Sequence, residues 1–158
     1  MRRSTLWPPN AILTSALLLV PVRHWWVCLA AAFPVHVALE VGAGYSPGLV
    51  ALLFLTNVSE AAIAAGGLRL VSPSAVRFDT LRRVAMFIAV AAFAAPILSS
   101  CLDAAVVSAL RGEPYWTVWR TRVFANTLTE ICVVPAVVLG GAALVARRRP
   151  TRRRLFEA

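Results

Sequence analysis

The stretch that decides the fold covers residues 115–135, YWTVWRTRVFANTLTEICVVP. Arg122, Asn126 and Glu130 recur in it at every fourth position, so on an α-helix they form one polar stripe. An apolar run over residues 131–146 follows, and the basic sequence RRRPTRRR comes directly after it. Ionisable side chains are costly inside a membrane helix. The stripe therefore predicts that other helices carry polar partners for it.

The composition indicates which class of protein provides those helices. The chain of 158 residues is 59% hydrophobic, with a mean hydropathy of +0.75, which exceeds what is usual for a soluble domain. This predicts an all-α fold, a polytopic integral membrane helix bundle with about five transmembrane helices. The net charge of +9 comes from arginines in loops and at the C-terminus. Membrane topology and anionic lipid explain that placement, so the lipid bilayer is expected as a partner and nucleic acid is not.

The order of apolar and polar segments predicts one transmembrane domain over residues 1–146 and a basic cytoplasmic tail over residues 147–158. The expected helices cover about residues 6–22, 24–41, 49–68, 84–110 and 115–146. Six arginines lie in the tail and four between the third and fourth helices, whereas none lies in the turn after the second. By the positive-inside rule, this predicts a multi-pass membrane protein with a cytoplasmic C-terminus.

Each expected helix after the first carries one acidic residue. With the neighbouring polar residues, the acids form a candidate ligand or signal pocket, whose residues are Arg120, Arg122, Asn126, Glu130, Asp103, Glu60, Asn57, Glu40 and His36. Thr56 extends the polar patch on the third helix, and Ser99 and Ser100 extend the patch on the fourth. Two other interpretations stay open. The residues could only form hydrogen bonds that fix helix register, each worth about 0.6–2 kcal/mol, or they could line a transport path.

The sequence carries no pattern typical of an enzyme. It has no phosphate-binding glycine loop, no HExxH and no usable Ser-His-Asp order. Its three cysteines include no CxxC pair, which argues against a zinc site or a disulfide framework. We therefore expect no catalytic residues, no metal and no cofactor.

Four segments in order resemble the bacterial membrane-associated sensor (MASE) domain, the first-described type. They are LWPPNAIL, PVRHWW, RFDTLRRVAMFIAVAAFAAPILSS and YWTVWRTRVFANTLTEICVVPAVV, and they lie between about residues 6 and 146. The resemblance implies a sensory input module in the bacterial cell inner membrane for signal transduction, including two-component systems. Such modules usually precede histidine kinase, diguanylate cyclase or phosphodiesterase domains. It implies a structural or signalling role, and no catalytic one, for the matching residues Asn57, Glu60, Trp119, Arg120, Asn126 and Pro135.

Compared with the family pattern, the chain is expected to be truncated at both ends. Only six residues precede Trp7, and eleven follow Arg147. The expected partner is therefore a separate or lost cytoplasmic output domain, a kinase or a cyclase, and homodimerisation is left open. The alternative function is a small membrane transport component, the substrate-binding subunit of an importer.

The polar stripe yields a first prediction. Glu130→Gln and Arg122→Gln should each change signalling or lower thermal stability more than the same change at a loop arginine such as Arg82, because the stripe places its ionisable groups inside the bundle and a loop arginine does not. Melting temperatures in detergent and signalling output check this. If both variants melt and signal like the parent, the stripe is incidental.

Overall fold

The computed structural model describes residues 8–71 and 78–148, with the backbone alone for residues 142–148. This part of the chain is helical and contains no strand. The helices are α1 (Pro8–Leu19), α2 (Trp25–Gly42), α3 (Pro47–Val71), α4 (Leu81–Phe87), α5 (Ala95–Arg111) and α6 (Tyr115–Arg148). A 3-10 turn, Val22–His24, precedes α2, and a π-helical segment, Ile88–Ala94, joins α4 to α5. Residues 6 and 7, Arg77 and most of the basic tail lie outside the described ranges.

Within the described residues, four helical segments are long and apolar enough to cross a membrane. They are Val22–Gly42, Pro47–Val71, Leu81–Arg111 and Tyr115–Gly141. The prediction of an all-α membrane helix bundle is confirmed. The first expected helix differs from the others, because α1 has 12 described residues. That length corresponds to about 18 Å, short of a hydrocarbon core of about 30 Å.

The described part of helix α1 lies inside the bundle. It packs between α3 and α6 and also contacts α2. Leu17 and Leu18 enter an apolar cluster with Leu68 of α3 and with Val134 and Val138 of α6. The other helices thus bury α1 on several sides, and this burial brings its polar residues next to theirs.

The C-terminal end of α1 is held by two side chains from its neighbours. Nη2 of Arg69 donates hydrogen bonds to the carbonyl oxygens of Leu17, Leu18 and Val20, at 3.0, 3.2 and 2.6 Å. Nε1 of Trp25 donates to the same Leu17 oxygen at 2.9 Å. The last carbonyls of a helix lack partners within it and carry partial negative charge, so an arginine there is favourable. Arg69 and Trp25 together allow α1 to end inside the protein.

The path from α4 to α5 is continuous despite a proline. Pro96 cannot donate a backbone hydrogen bond, and its ring crowds the carbonyl four residues earlier. The π-helical segment ends at Ala94, directly before this position, and widens the helix there. A π-helical stretch thus leads into the turn of α5 that contains Pro96. Its small residues Ala91 and Ala92 are fully buried, which permits a close approach to α3.

Gly67 of α3 lies at this close approach and gives a second prediction. A Cβ atom added at Gly67 would come within 2.7 Å of Cγ1 of Val90. Valine is stiff at χ1 and cannot move aside freely, so Gly67→Ala should lower the free energy of unfolding by about 1–3 kcal/mol. Denaturation in detergent micelles measures this.

Gly140→Ala is the matched control for this prediction. Gly140 is also helical, and nothing lies within 4 Å of its added Cβ. Its variant should be as stable as the parent or slightly more stable, because alanine favours the helix. Equal stability of the two alanine variants would show that α3 and the π-helical segment are not in tight contact.

Candidate functional site

A layer of polar side chains crosses the middle of the bundle between two apolar clusters. One cluster includes Leu49, Leu53 and Val107 and lies at the end of the bundle that carries Tyr45 and Tyr115. The larger cluster around α1 lies on the other side. We call the residues between them the polar layer: Asn10 and Thr14 of α1, Thr56, Asn57 and Glu60 of α3, Ser99, Ser100 and Asp103 of α5, and Arg122, Asn126 and Glu130 of α6.

Glu60 lies at the centre of the polar layer. Its side chain is 1% exposed. Oε2 accepts hydrogen bonds from Oγ of Ser99 at 2.7 Å and from Nδ2 of Asn126 at 2.6 Å. The amide of Asn10 stands close to the same carboxyl group, but neither Nδ2 of Asn10 nor Oε1 of Glu60 has a hydrogen-bond partner of normal length and angle. One carboxyl group therefore joins α3, α5 and α6.

Glu130 is the second fully buried acid and binds α1. Its Oε1 accepts a hydrogen bond from Oγ1 of Thr14 at 2.8 Å. Asn126 and Glu130 are one helical turn apart on α6, and Asn10 and Thr14 are one turn apart on α1. The two helices thus face each other with two polar positions each.

Asp103 and Arg122 form an ion pair at the border of the layer. Nε of Arg122 lies 2.8 Å from Oδ2 of Asp103, without the alignment of a hydrogen bond. Oδ1 of Asp103 accepts a hydrogen bond from Oγ1 of Thr56 at 3.2 Å. The Arg122 side chain is 26% exposed, so this pair lies at the open side of the layer. Glu40 of α2 is within electrostatic reach of both residues.

His36 connects α2 to α3. Its Nε2 lies 3.0 Å from the carbonyl oxygen of Val50, and its Nδ1 lies 3.4 Å from Nδ2 of Asn57. A carbonyl oxygen can only accept and an amide nitrogen can only donate. The contacts therefore assign the ring proton to Nε2. Among the residues of α2, only His36 and Glu40 are buried, while Trp25, Cys28, Leu29 and Ala32 are partly buried against the larger apolar cluster.

The polar layer encloses a small space lined by eight of its residues: Thr56, Asn57, Glu60, Ser99, Ser100, Asp103, Arg122 and Asn126. The cavity volume available to the centre of a water molecule is about 10 Å³. One water molecule needs about that much. In the conformation described, the layer can take a water molecule or an ion and has no room for an organic ligand.

The polar layer contains most of the site residues expected from the sequence. Five of them, Asn57, Glu60, Asp103, Arg122 and Asn126, line the space, and Glu130, His36 and Glu40 are buried beside it. Arg120 is not part of the layer. Its side chain is exposed, and its Nε donates to the carbonyl oxygen of Trp116 on its own helix.

Asn10 and Thr14 of α1 are the site residues that the sequence analysis missed. Hydropathy assigns α1 to an ordinary apolar span, which conceals its role. Their spacing by four residues, with Ser15 beside them, was the available signal. Among the described residues, no group of three or more His, Cys, Asp or Glu side chains could hold a metal ion.

The fold and the polar layer define a class: polytopic α-helical membrane proteins whose bundle is built around buried acids. The family model for MASE1 matches residues 2–158. The chain therefore belongs to MASE1, a family of membrane-associated sensor domains, as the sequence resemblance implied. The family consists of sensory input domains and not of enzymes, which agrees with the absence of catalytic motifs from the sequence. Comparison with curated proteins and with solved structures gives no match.

The bond between α1 and α6 gives a third prediction. Thr14→Val keeps the side-chain shape but removes the hydroxyl that donates to Glu130. The change should lower the free energy of unfolding by about 0.6–2 kcal/mol, the usual value of a hydrogen bond between membrane helices. Unfolding by denaturant in micelles measures it.

Ser15→Ala is the control, because the Ser15 hydroxyl is equally buried but donates to the Ala11 carbonyl on its own helix. Its loss should cost less than the loss of the Thr14 hydroxyl. Equal losses of stability for the two variants would argue against a specific bond between α1 and Glu130.

Proposed function

We propose that the chain is a signal-input module of a bacterial signal-transduction system. It passes the state of the polar layer to a cytoplasmic output domain, such as a histidine kinase or a diguanylate cyclase. Membership of MASE1 supports the sensory role. The arginine distribution supports an inner-membrane location with a cytoplasmic C-terminus.

The observation that carries this proposal is the length and continuity of α6. It contributes Arg122, Asn126 and Glu130 to the polar layer and continues as a helix to Arg148. Its 34 residues correspond to about 51 Å, well beyond a hydrocarbon core of about 30 Å. From Glu130 to Arg148 the helix extends about 27 Å further. A displacement at the layer can therefore reach the far end of α6 along one continuous helix, which contains Pro135 between Glu130 and Arg148.

The contacts of α6 explain how the layer could control its position. Asn126 bonds to Glu60 of α3, Arg122 pairs with Asp103 of α5, and Glu130 bonds to Thr14 of α1. Each contact joins α6 to a different helix. A stimulus that changes the charge or the partners of one acid alters the balance among these contacts, and α6 then shifts or rotates relative to its neighbours.

The importer alternative gains no support from the geometry, because the space in the layer admits one water-sized group. Uptake assays distinguish the two functions. An importer subunit expressed with an energising partner would accumulate a labelled substrate, whereas a sensory module would not.

A fusion protein gives the fourth prediction and tests the proposed function. The full chain is joined at its C-terminus to the catalytic domain of a diguanylate cyclase, and cyclic di-GMP is measured in membranes. Asn126→Ala removes the bond between α6 and Glu60 and should change output by about fivefold or more, the range of typical coupling energies. Leu102→Ala, at a position of α5 that faces lipid, should leave output unchanged.

Membrane levels of each fusion, measured by immunoblot, provide the normalisation. If Asn126→Ala inserts normally and its cyclase output equals that of the parent, the layer does not control the output and the proposal is wrong.

A further inference from the structure

We infer that the polar layer is a binding site for a small monovalent cation, Na⁺, held between α3, α5 and α6. The inference deepens the proposed function, on which its signalling consequence rests, by naming the class of ligand. The binding itself is measured separately from signalling.

The first observation is a set of oxygen atoms without partners around one space. Oε1 of Glu60, Oγ of Ser100 and Oδ1 of Asn126 have no hydrogen-bond partner of normal length and angle, although the Asn10 amide stands close to the Glu60 carboxyl group. Their residues are 1%, 1% and 5% exposed. All three residues line the same water-sized space. Buried polar atoms without partners are rare, and three from three helices around one space indicate a shared ligand.

The second observation is the charge balance of the layer. The ionisable groups around Glu60 are Asp103 of α5 and Arg122 and Glu130 of α6, with Glu40 and His36 of α2 beyond them, while α1 contributes only uncharged groups. Arg122 is paired with Asp103. No basic side chain among the described residues bonds to Glu60, so an ionised Glu60 needs another positive partner in this environment.

The chemistry of the ligand atoms distinguishes a cation from a proton. A proton on Glu60 donates one hydrogen bond and could satisfy one of the other two oxygens. A cation is coordinated by all three at once, and the site offers carboxylate, amide and hydroxyl oxygens, which are hard donors. Glu60 is the one carboxylate without a basic partner among the residues that line the space, and it matches a single positive charge. A divalent ion would ordinarily take more carboxylates than this.

The fifth prediction tests the site on the full chain in lipid nanodiscs. Binding of radioactive sodium is measured at fixed pH, with choline chloride keeping the ionic strength constant. The parent should bind saturably with about one ion per chain, and NaCl should raise its melting temperature more than choline chloride does. Glu60→Gln should abolish binding.

Ser100→Ala is the sharpest variant for this test. The Ser100 hydroxyl has no partner within the described protein, so its removal should leave folding intact while sodium affinity falls about tenfold, a change typical of a disturbed ion site. Ser15→Ala removes an equally buried hydroxyl that lies outside the layer and should bind like the parent. This comparison keeps the test decisive even if Glu60→Gln fails to fold.

The outcomes separate the two proposals. The cation site would be overturned if the parent showed no saturable sodium binding, or if Ser100→Ala bound sodium like the parent. It would also be overturned if the melting temperature changed with pH but not with NaCl. The cyclase fusion provides the independent measurement for the proposed function. If sodium binds but cyclase output does not change, the chain does not sense the ion. If sodium does not bind but Asn126→Ala still changes the output, the signal-input role stands without the cation site.

Discussion

The arrangement of the bundle depends on the hydrogen bonds of one buried carboxyl group. Glu60 is 1% exposed, and lipid offers it no donor, so the protein must provide most of its partners. Ser99 and Asn126 provide them from two other helices. Because these donors point to a single oxygen atom, α3, α5 and α6 have one favourable register relative to one another. The apolar clusters on both sides of the layer lack this directionality and could pack in several registers.

The need to satisfy buried polar groups also explains the position of helix α1. An apolar helix that ends inside a membrane protein leaves carbonyl groups without partners, and Arg69 and Trp25 satisfy them. That support allows α1 to stop at Leu19 while its polar residues Asn10 and Thr14 meet the acids of α3 and α6. In this account α1 is part of the site and does not act as an independent anchor.

Much of this arrangement could be predicted from the residues. One acid on each later helix and the stripe Arg122, Asn126 and Glu130 indicated a shared polar layer, and the structure brings those residues together. Arg120 was expected in the site but lies outside the layer, and helical geometry already implied this. It is two positions from Arg122, about 200° around the helix, so both side chains cannot face the same layer.

Other features depend on tertiary contacts that no local pattern reveals. The π-helical segment before Pro96 arises where the helix must pass a proline and also approach Gly67 closely. The burial of α1 depends on Arg69, which follows it by about fifty residues and looks in the sequence like a loop arginine near the membrane surface. Hydropathy predicts ordinary membrane spans both for the π-helical segment and for α1.

The most direct test of this account measures whether the Glu60 bonds hold α6 in place. Spin labels at two lipid-facing positions, Leu70 of α3 and Leu139 of α6, report the distance between the helices on the far side of the layer, in a background without the native cysteines. The account predicts that Asn126→Ala shifts this distance by about 1–2 Å or broadens its distribution, while Leu128→Ala, on the lipid face of α6, leaves it unchanged. An identical distance distribution in the parent and in Asn126→Ala would contradict the central role of the Glu60 contacts.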